Sequence, residues 1–189
     1  MKPVVLFDID STLLNSAKIH TFTARHLIRK FNKADLHALG YLLFGRPRGF
    51  LDSPAVEKSF LAPEYYRKSL FEDVLPVLKK LKRKAILGVF SQGPGRLQRA
   101  KLRLSGVERY FEREFTFVFP PRKVGKARQV IAGLPKTKIY FVDDRPNIAE
   151  TLANHRVQVF LIRRKPLSVT QNGRVAVIRS LKEILAFLP

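Results

Sequence analysis

The sequence predicts an α/β fold with a mainly parallel central sheet. Short apolar runs rich in β-branched and aromatic residues alternate with segments of helical periodicity, and this alternation favours right-handed βαβ units. Some runs, such as residues 4–7, are apolar throughout, as expected for strands that are buried on both faces. Polar residues follow the runs directly, so we expect them at the carboxyl edge of the sheet, where open α/β sheets bind ligands.

Each predicted element follows from a local pattern. Strands are predicted at residues 4–7, 85–90, 115–119, 138–142, 157–162 and, as a short edge strand, 175–178. Helices are predicted at residues 72–84, 97–104, 124–132, 148–154 and 181–188. The inward face of the first of these helices is predicted to consist of Val74, Leu75, Leu78 and Leu81.

Composition limits the class of protein. The chain has 189 residues, 46% of them hydrophobic, with 15 Phe, which is enough to build a packed core. It has no Cys, so disulfides and thiolate chemistry are excluded and a reducing compartment is favoured. No apolar run approaches the roughly 20 residues of a membrane helix, and the first residues do not resemble a signal peptide. We therefore expect a soluble, cytoplasmic protein without membrane partners.

The charge of the chain is strongly positive. Thirty-six Lys and Arg against fifteen Asp and Glu give a formal net charge of +21 at pH 7. Such a field attracts anionic substrates and permits non-specific association with nucleic acid. The cations are spread along the chain, however, whereas a dedicated nucleic-acid module concentrates them in one stripe.

The first strand ends in two acids that are spaced one residue apart, Asp8 and Asp10. Because residues i and i+2 of a strand point the same way, their carboxylates are expected to lie side by side. Two carboxylates that close repel each other unless a cation or a proton lies between them. The alternative interpretation is a turn in which Asp10 hydrogen-bonds its own backbone.

The other predicted strands also end in polar groups. Ser91 follows the second strand, a basic segment with Lys123 and Lys126 follows the third, and Asp143 and Asp144 follow the fourth. This combination suits a divalent metal held by hard oxygen ligands, with a phosphate bound against it. Each group also has a structural alternative, since a serine or an acid can cap the following helix and a lysine can belong to the surface.

Together these motifs resemble the haloacid dehalogenase superfamily of aspartate-dependent phosphatases and phosphotransferases. The resemblance is carried by FDIDST at residues 7–12, FS at 90–91, Lys123 or Lys126, and FVDD at 141–144, in that order along nearly the whole chain. It implies a Rossmann-like three-layer sandwich with a mainly parallel central sheet and a small inserted helical cap. The cap falls at residues 16–67, and the catalytic core comprises residues 1–15 and 68–189.

The resemblance also implies roles for the motif residues. Asp8 is the nucleophile that becomes an aspartyl phosphate, and Asp10 is the general acid and base. The set that binds the substrate phosphate is Thr12, Ser91, Gln92 and Lys123. Mg²⁺ is held by Asp8, by Asp10 through its carbonyl, and by Asp143 and Asp144, with the direct ligand of the last two left open. Lys123 is preferred to Lys126 because it lies closer to the strand end.

These roles predict a magnesium-dependent phosphomonoester hydrolase that acts on a small anionic phosphorylated metabolite. Asp10 favours phosphate chemistry over carbon–halogen cleavage, since a halide needs no proton to leave. Two alternatives stay open. One is a phosphomutase with the same site, and the other is a basic, nucleic-acid-associated end phosphatase.

Overall fold

The computed structural model describes residues 1–29, 63–120, 123–153, 157–164 and 174–188. The strands in this part of the chain are β1 Val4–Phe7, β2 Ile86–Gln92, β3 Thr116–Phe119, β4 Ile139–Asp143, β5 Val157–Ile162 and β6 Val175–Ile178. The α-helices are α1 Ser16–Arg29, α2 Pro63–Ser69, α3 Val74–Lys84, α4 Gly95–Ser105, α5 Ala127–Gly133 and α6 Pro146–Ala153. Short 3₁₀ helices cover Glu108–Tyr110, Arg113–Phe115, Lys123–Lys126 and Leu181–Ala186.

Within the described residues the sheet has six strands in the order β3-β2-β1-β4-β5-β6, and every neighbouring pair is parallel. Strand β1 lies at the centre, with Val4 opposite both Ile86 of β2 and Ile139 of β4. The order reverses between β1 and β4, which opens a crevice at their carboxyl ends. The predicted α/β, Rossmann-like fold with a parallel sheet is confirmed.

The core lies on both faces of the sheet, as the apolar β1 run predicts. Val5 and Phe7 belong to one hydrophobic cluster, which also contains the buried residues of α3 and α4. Val4 and Leu6 belong to a second cluster with the buried residues of α5 and α6. Because side chains alternate along a strand, one apolar run supplies both layers of packing.

Two sequence predictions need correction. Leu75, predicted to face inward, is 40% exposed, and Val77 is buried in its place. The buried residues Val74, Val77, Leu78 and Leu81 follow the i, i+3, i+4, i+7 spacing of a single helical stripe, which Leu75 does not fit. The predicted helix at residues 181–188 is a 3₁₀ helix, Leu181–Ala186, which begins with a capping box formed by Ser180 and Glu183.

The predicted cap segment is described only at its two ends, α1 and α2. Phe22 of α1 and Tyr65 of α2 stack with ring centroids 5.4 Å apart, so the two helices are in contact. Within this segment the sequence predicts a loop at residues 45–49, from Gly and Pro, and a helix start at Ser53, followed by Pro54; both lie outside the described residues. The division into core and cap stays a prediction. Among the described helices, none has the length and apolar character needed to cross a membrane.

A buried ion pair anchors the loop that follows β1. Asp73, at the start of α3, accepts hydrogen bonds from Arg164 Nη1 at 3.1 Å, Ser180 Oγ at 2.8 Å and the backbone N–H of Leu181 at 2.8 Å. Arg164 Nη2 donates to the carbonyl of Thr12 at 3.0 Å, and the guanidinium stacks over the ring of Phe71. This ion pair connects the end of β5 to the polypeptide segment next to Asp10.

We predict that Asp73→Asn lowers the free energy of unfolding by about 2–3 kcal/mol at pH 7, because Arg164 loses its buried partner. Burial opposes the charged form, but the hydrogen bonds from Arg164 and Ser180 outweigh it and keep the pKa of Asp73 below its ordinary value. The stabilisation is therefore present above about pH 4, the pKa of an unfolded aspartate, and is lost as the pH falls through the lower folded pKa.

Urea unfolding followed by circular dichroism at pH 7 and pH 3 measures this effect. The difference between the wild type and Asp73→Asn should be smaller at pH 3 than at pH 7. The exposed neighbour Glu72 gives a matched control, and Glu72→Gln should change the free energy of unfolding by less than about 0.5 kcal/mol. A difference for Asp73→Asn that stays constant between the two pH values would contradict the prediction.

Candidate active site

Asp8 lies directly after β1, at the crevice between β1 and β4. Its backbone N–H donates to the carbonyl of Val142 at 2.8 Å, which extends the pairing of the two strands by one residue. The side chain is buried, with 4% of the residue exposed. The predicted nucleophile is therefore held at the position where a parallel sheet presents ligand-binding groups.

Lys123 is the cation of this site. It is completely buried, whereas Lys126 is exposed. Lys123 Nζ donates to Asp8 Oδ1 at 2.7 Å, to Asp143 Oδ2 at 2.5 Å and to the carbonyl of Phe90 at 3.0 Å. Since lysine is almost never fully buried unless it is paired, this geometry favours Lys123 over Lys126 as the lysine of the site.

Three carboxylates surround the crevice. One oxygen from each of Asp8, Asp143 and Asp144 lies within 4.8 Å of the others. With all three ionised, the Lys123 ammonium and the Arg145 guanidinium, whose Nε lies 3.5 Å from Asp143 Oδ1, leave an excess of one negative charge. A divalent cation would offset that excess, and carboxylate oxygens are the ligands that Mg²⁺ prefers. The residues present therefore fit a magnesium ion.

The pKa values of Asp8 and Asp144 are both raised, as expected where negative charge is in excess. Burial raises the pKa of Asp8 to about 7, with a further upward contribution from Asp143, although Lys123 opposes the shift. Burial and the neighbouring Asp143 also raise the pKa of Asp144. Both shifts arise because the buried site disfavours several negative charges close together. A bound cation would favour the ionised forms and thus the nucleophilic form of Asp8.

Two of the residues predicted to bind phosphate are buried hydroxyls. Ser91 lies near the end of β2 and Thr12 in the loop after β1, with 1% and 0% exposed respectively. Neither Ser91 Oγ nor Thr12 Oγ1 has a hydrogen-bond partner within the described residues. An unsatisfied buried hydroxyl costs about 1–3 kcal/mol, so both groups are suited to donate to a bound anion.

Gln92, also predicted to bind phosphate, has a different environment. Its side-chain Oε1 accepts a hydrogen bond from the backbone N–H of Lys123 at 3.3 Å. Its backbone carbonyl accepts one from Gln98 Nε2 at 3.0 Å. Gln92 therefore connects β2 to the segment that carries Lys123, and this contact supports the position of the lysine.

Asp10 lies outside the group of three clustered carboxylates and contacts α4. Lys101 Nζ lies 2.7 Å from Oδ1 and 2.8 Å from Oδ2 of Asp10, and Gln98 Nε2 donates to Oδ2 at 2.9 Å. Burial opposes the ionised form, but the Lys101 ammonium and the Gln98 amide outweigh it and lower the pKa of Asp10. Ser16 Oγ, at the start of α1, is a weaker donor at 3.5 Å.

Lys101 and Gln98 were not among the residues predicted from the sequence. A signal was nevertheless present, because Lys101 follows Leu97 by four residues, and this spacing places it on the apolar stripe of α4. A lysine on the buried side of an amphipathic helix requires a partner. In a chain with 36 Lys and Arg, this single position does not stand out without the structure.

The comparisons with known proteins agree with this fold. A family model for haloacid dehalogenase-like hydrolases matches residues 2–156. The match covers most of the chain, so the protein belongs to the haloacid dehalogenase-like hydrolase family and is a hydrolase by class. A search of curated proteins found no match.

Several solved structures have a similar fold. A haloacid dehalogenase-like hydrolase described from Burkholderia xenovorans LB400 has a TM-score of 0.72 at 18% identity, over 98% of this chain and 95% of that one. The HAD-hydrolase YfnB of Bacillus subtilis, bound to magnesium, has a TM-score of 0.66 at 15% identity, over 98% of both chains. A protein described as a phosphatase from Clostridium difficile has a TM-score of 0.61 at 20% identity, over 96% of this chain and 97% of that one. At these identities the similarity shows the fold alone.

Proposed function

We propose that this protein is a magnesium-dependent phosphomonoester hydrolase that acts through an aspartyl phosphate on Asp8. The observation that carries the proposal is the position of Lys123, buried between Asp8 and Asp143 at the crevice of the sheet. A cation held at the nucleophile is suited to neutralise an anionic group that approaches Asp8. The buried hydroxyls of Thr12 and Ser91 add hydrogen-bond donors of the kind that phosphate oxygens accept.

The proposed reaction has two steps. Asp10 is ionised in the free site, and the negative charge of a bound phosphate ester would raise its pKa so that it takes up a proton from solvent. A carboxylate oxygen of Asp8 then attacks phosphorus, the bond to the leaving oxygen breaks, and Asp10 gives that proton to the departing alkoxide. Water then attacks the aspartyl phosphate with Asp10 as the base, which releases inorganic phosphate and regenerates Asp8. Asp8, Asp143 and Asp144 are the residues that would hold magnesium, which would supply further neutralisation of the phosphoryl charge.

Phosphate chemistry is favoured over the cleavage of a carbon–halogen bond. A halide leaves as a stable anion and needs no proton donor, whereas an alkoxide does need one. Asp10 lies two residues after the proposed nucleophile, is only partly buried, and is held in place by donors from α4, so an acid stands where a departing alkoxide would require one. Lys123 also suits the dianionic phosphoryl group better than a neutral carbon centre.

We further propose that residues 16–67 form a cap that selects the substrate. Helix α1 begins six residues after Asp10, and Ser16 at its start contacts the Asp10 carboxylate. The two described ends of the segment, α1 and α2, contact each other through Phe22 and Tyr65. These contacts at the two described ends of the segment support the proposal. The positive charge of the chain favours small anionic substrates.

Removal of magnesium tests the proposed activity. We expect wild-type protein to release phosphate from a panel of phosphorylated metabolites in the presence of Mg²⁺. Excess EDTA should reduce the rate by about 10²-fold or more, because charge neutralisation by a metal contributes several kcal/mol. Added Mg²⁺ should restore it. Circular dichroism in EDTA serves as the control for folding, and phosphate release that is insensitive to EDTA would contradict the proposal.

The same panel separates the remaining alternatives. An oligonucleotide with a terminal phosphate should be hydrolysed no faster than the best small metabolite. If the oligonucleotide is preferred, and its affinity falls steeply between 50 and 200 mM salt, the end-phosphatase alternative is supported instead. A product that is an isomeric phosphate ester, without free phosphate, would identify a mutase.

A further inference from the structure

We propose that Lys101 and Gln98 of α4 are positioning residues that orient the Asp10 carboxylate for proton transfer to the leaving group. This inference rests on the proposed function, since it assigns a role within that reaction. Both residues lie outside the four sequence motifs. They belong to α4, which carries none of the three clustered carboxylates, Asp8, Asp143 and Asp144.

The contacts to Asp10 define one orientation of its carboxylate. Lys101 Nζ bridges both oxygens, and Gln98 Nε2 donates to Oδ2 alone. A carboxylate has about four lone-pair positions, and these contacts use about three of them. The remaining position, on Oδ1, faces Ser16 Oγ at 3.5 Å, which is the longest of these contacts and therefore the one that a ligand can most readily replace.

Both donors are themselves fixed by burial. Gln98 is 2% exposed and Lys101 is 8% exposed, although the neighbouring Arg99 on the same helix is exposed. The two residues are three positions apart, so they project from one face of α4. A lysine that only contributes surface charge would not be enclosed in this way.

Gly93 makes the position of Gln98 possible. A Cβ atom at Gly93 would lie 2.5 Å from Gln98 Nε2, and the φ of Gly93 is +151°, which L side chains rarely adopt. The same Nε2 also donates to the carbonyl of Gln92 at 3.0 Å. The Gln98 amide is therefore held between the end of β2 and Asp10, and this geometry requires a glycine.

The orientation of Asp10 has a specific kinetic consequence. An alkoxide leaving group needs a proton at the moment of departure, whereas p-nitrophenolate departs as an anion. Misorientation of Asp10 should therefore slow the first step for an alkyl phosphate far more than for p-nitrophenyl phosphate. A lysine that served only to stabilise the fold, or to bind phosphate, would affect both substrates equally.

The test compares Lys101→Met, Gln98→Met and the control Arg99→Met on an alkyl phosphate and on p-nitrophenyl phosphate. We expect Lys101→Met to lower kcat/KM for the alkyl phosphate by about 10²-fold and that for p-nitrophenyl phosphate by less than about 10-fold. Lys101→Arg should recover part of the loss, since a guanidinium also donates to both oxygens. KM should change by less than about threefold, and Arg99→Met should resemble the wild type.

An equal loss for both substrates, or no loss for either, would overturn the positioning role. If Lys101→Met does not fold, Gln98→Met and Gly93→Ala test the same orientation and should show the same dependence on the leaving group. Wild-type protein that hydrolyses neither ester would overturn the proposed function. Wild-type activity together with uniform losses in the variants would overturn the positioning role alone.

Discussion

Asp8→Asn should abolish the release of phosphate, with a loss of more than about 10⁴-fold in kcat for an aryl phosphate. The amide has nearly the shape of the carboxylate, but it is a poor nucleophile and cannot form the aspartyl phosphate. The expected defect lies in kcat and not in folding, because the side chain keeps its volume at the buried end of β1. Steady-state assays with released phosphate as the readout measure it.

The stability of Asp8→Asn provides an independent check. Burial and Asp143 raise the pKa of Asp8, so its ionised form is disfavoured in the fold without metal. A neutral Asn removes that penalty at neutral pH, and the melting temperature in EDTA should equal or exceed that of the wild type. Glu150→Gln, an exposed acid on α6, serves as the control and should keep full activity. Substantial turnover by Asp8→Asn would refute the nucleophile assignment.

Lys123→Met should cause the second largest effect. The methionine roughly preserves the length of the side chain but leaves Asp8 and Asp143 without the ammonium that contacts both. Without the ammonium that would neutralise a phosphoryl group next to Asp8, kcat/KM should fall by about 10²- to 10³-fold. Asp8, which loses its ion-pair partner while Asp143 keeps Arg145, should also reduce the free energy of unfolding by about 3–5 kcal/mol in EDTA at neutral pH.

Magnesium should compensate part of this loss of stability. Without Lys123 the three carboxylates carry a larger net negative charge, so Mg²⁺ should raise the melting temperature of the variant more than that of the wild type. Lys126→Met is the matched control, because this lysine lies three residues away and is exposed. It should change neither activity nor stability. The assignment would fail if Lys126→Met were the more damaging of the two.

Much of the fold could be predicted from local patterns. The apolar run of β1 predicts a central strand, since only a strand covered on both faces can bury every one of its side chains. The acids after β1 and β4 follow from the rule that parallel strands place their carboxyl ends along one edge. Leu75 shows the limit of this approach. Val74 and Leu75 are adjacent apolar residues of α3, and the sequence does not show which of the two lies on the buried face of the helix.

The site was predicted less completely than the fold. The motif acids and Ser91 could be named because each stands at or just after the end of a predicted strand. The choice between Lys123 and Lys126 required the structure. Both lysines lie in one short segment, and they differ in that Lys123 is buried whereas Lys126 is exposed. The contacts of Asp10 with α4 and of Asp73 with Arg164 were not predicted. They join residues about 90 positions apart, and no local pattern encodes such a pair.

By itself, then, the sequence determined the class of fold, the central strand and the acids at its end, because periodicity and the direction of strands are local properties. The tertiary structure decided which cation lies between Asp8 and Asp143 and which helix holds Asp10. The physical reason is that burial and charge pairing depend on what lies across the crevice. A chain with 36 cations offers many partners for each carboxylate, and only the folded arrangement selects among them.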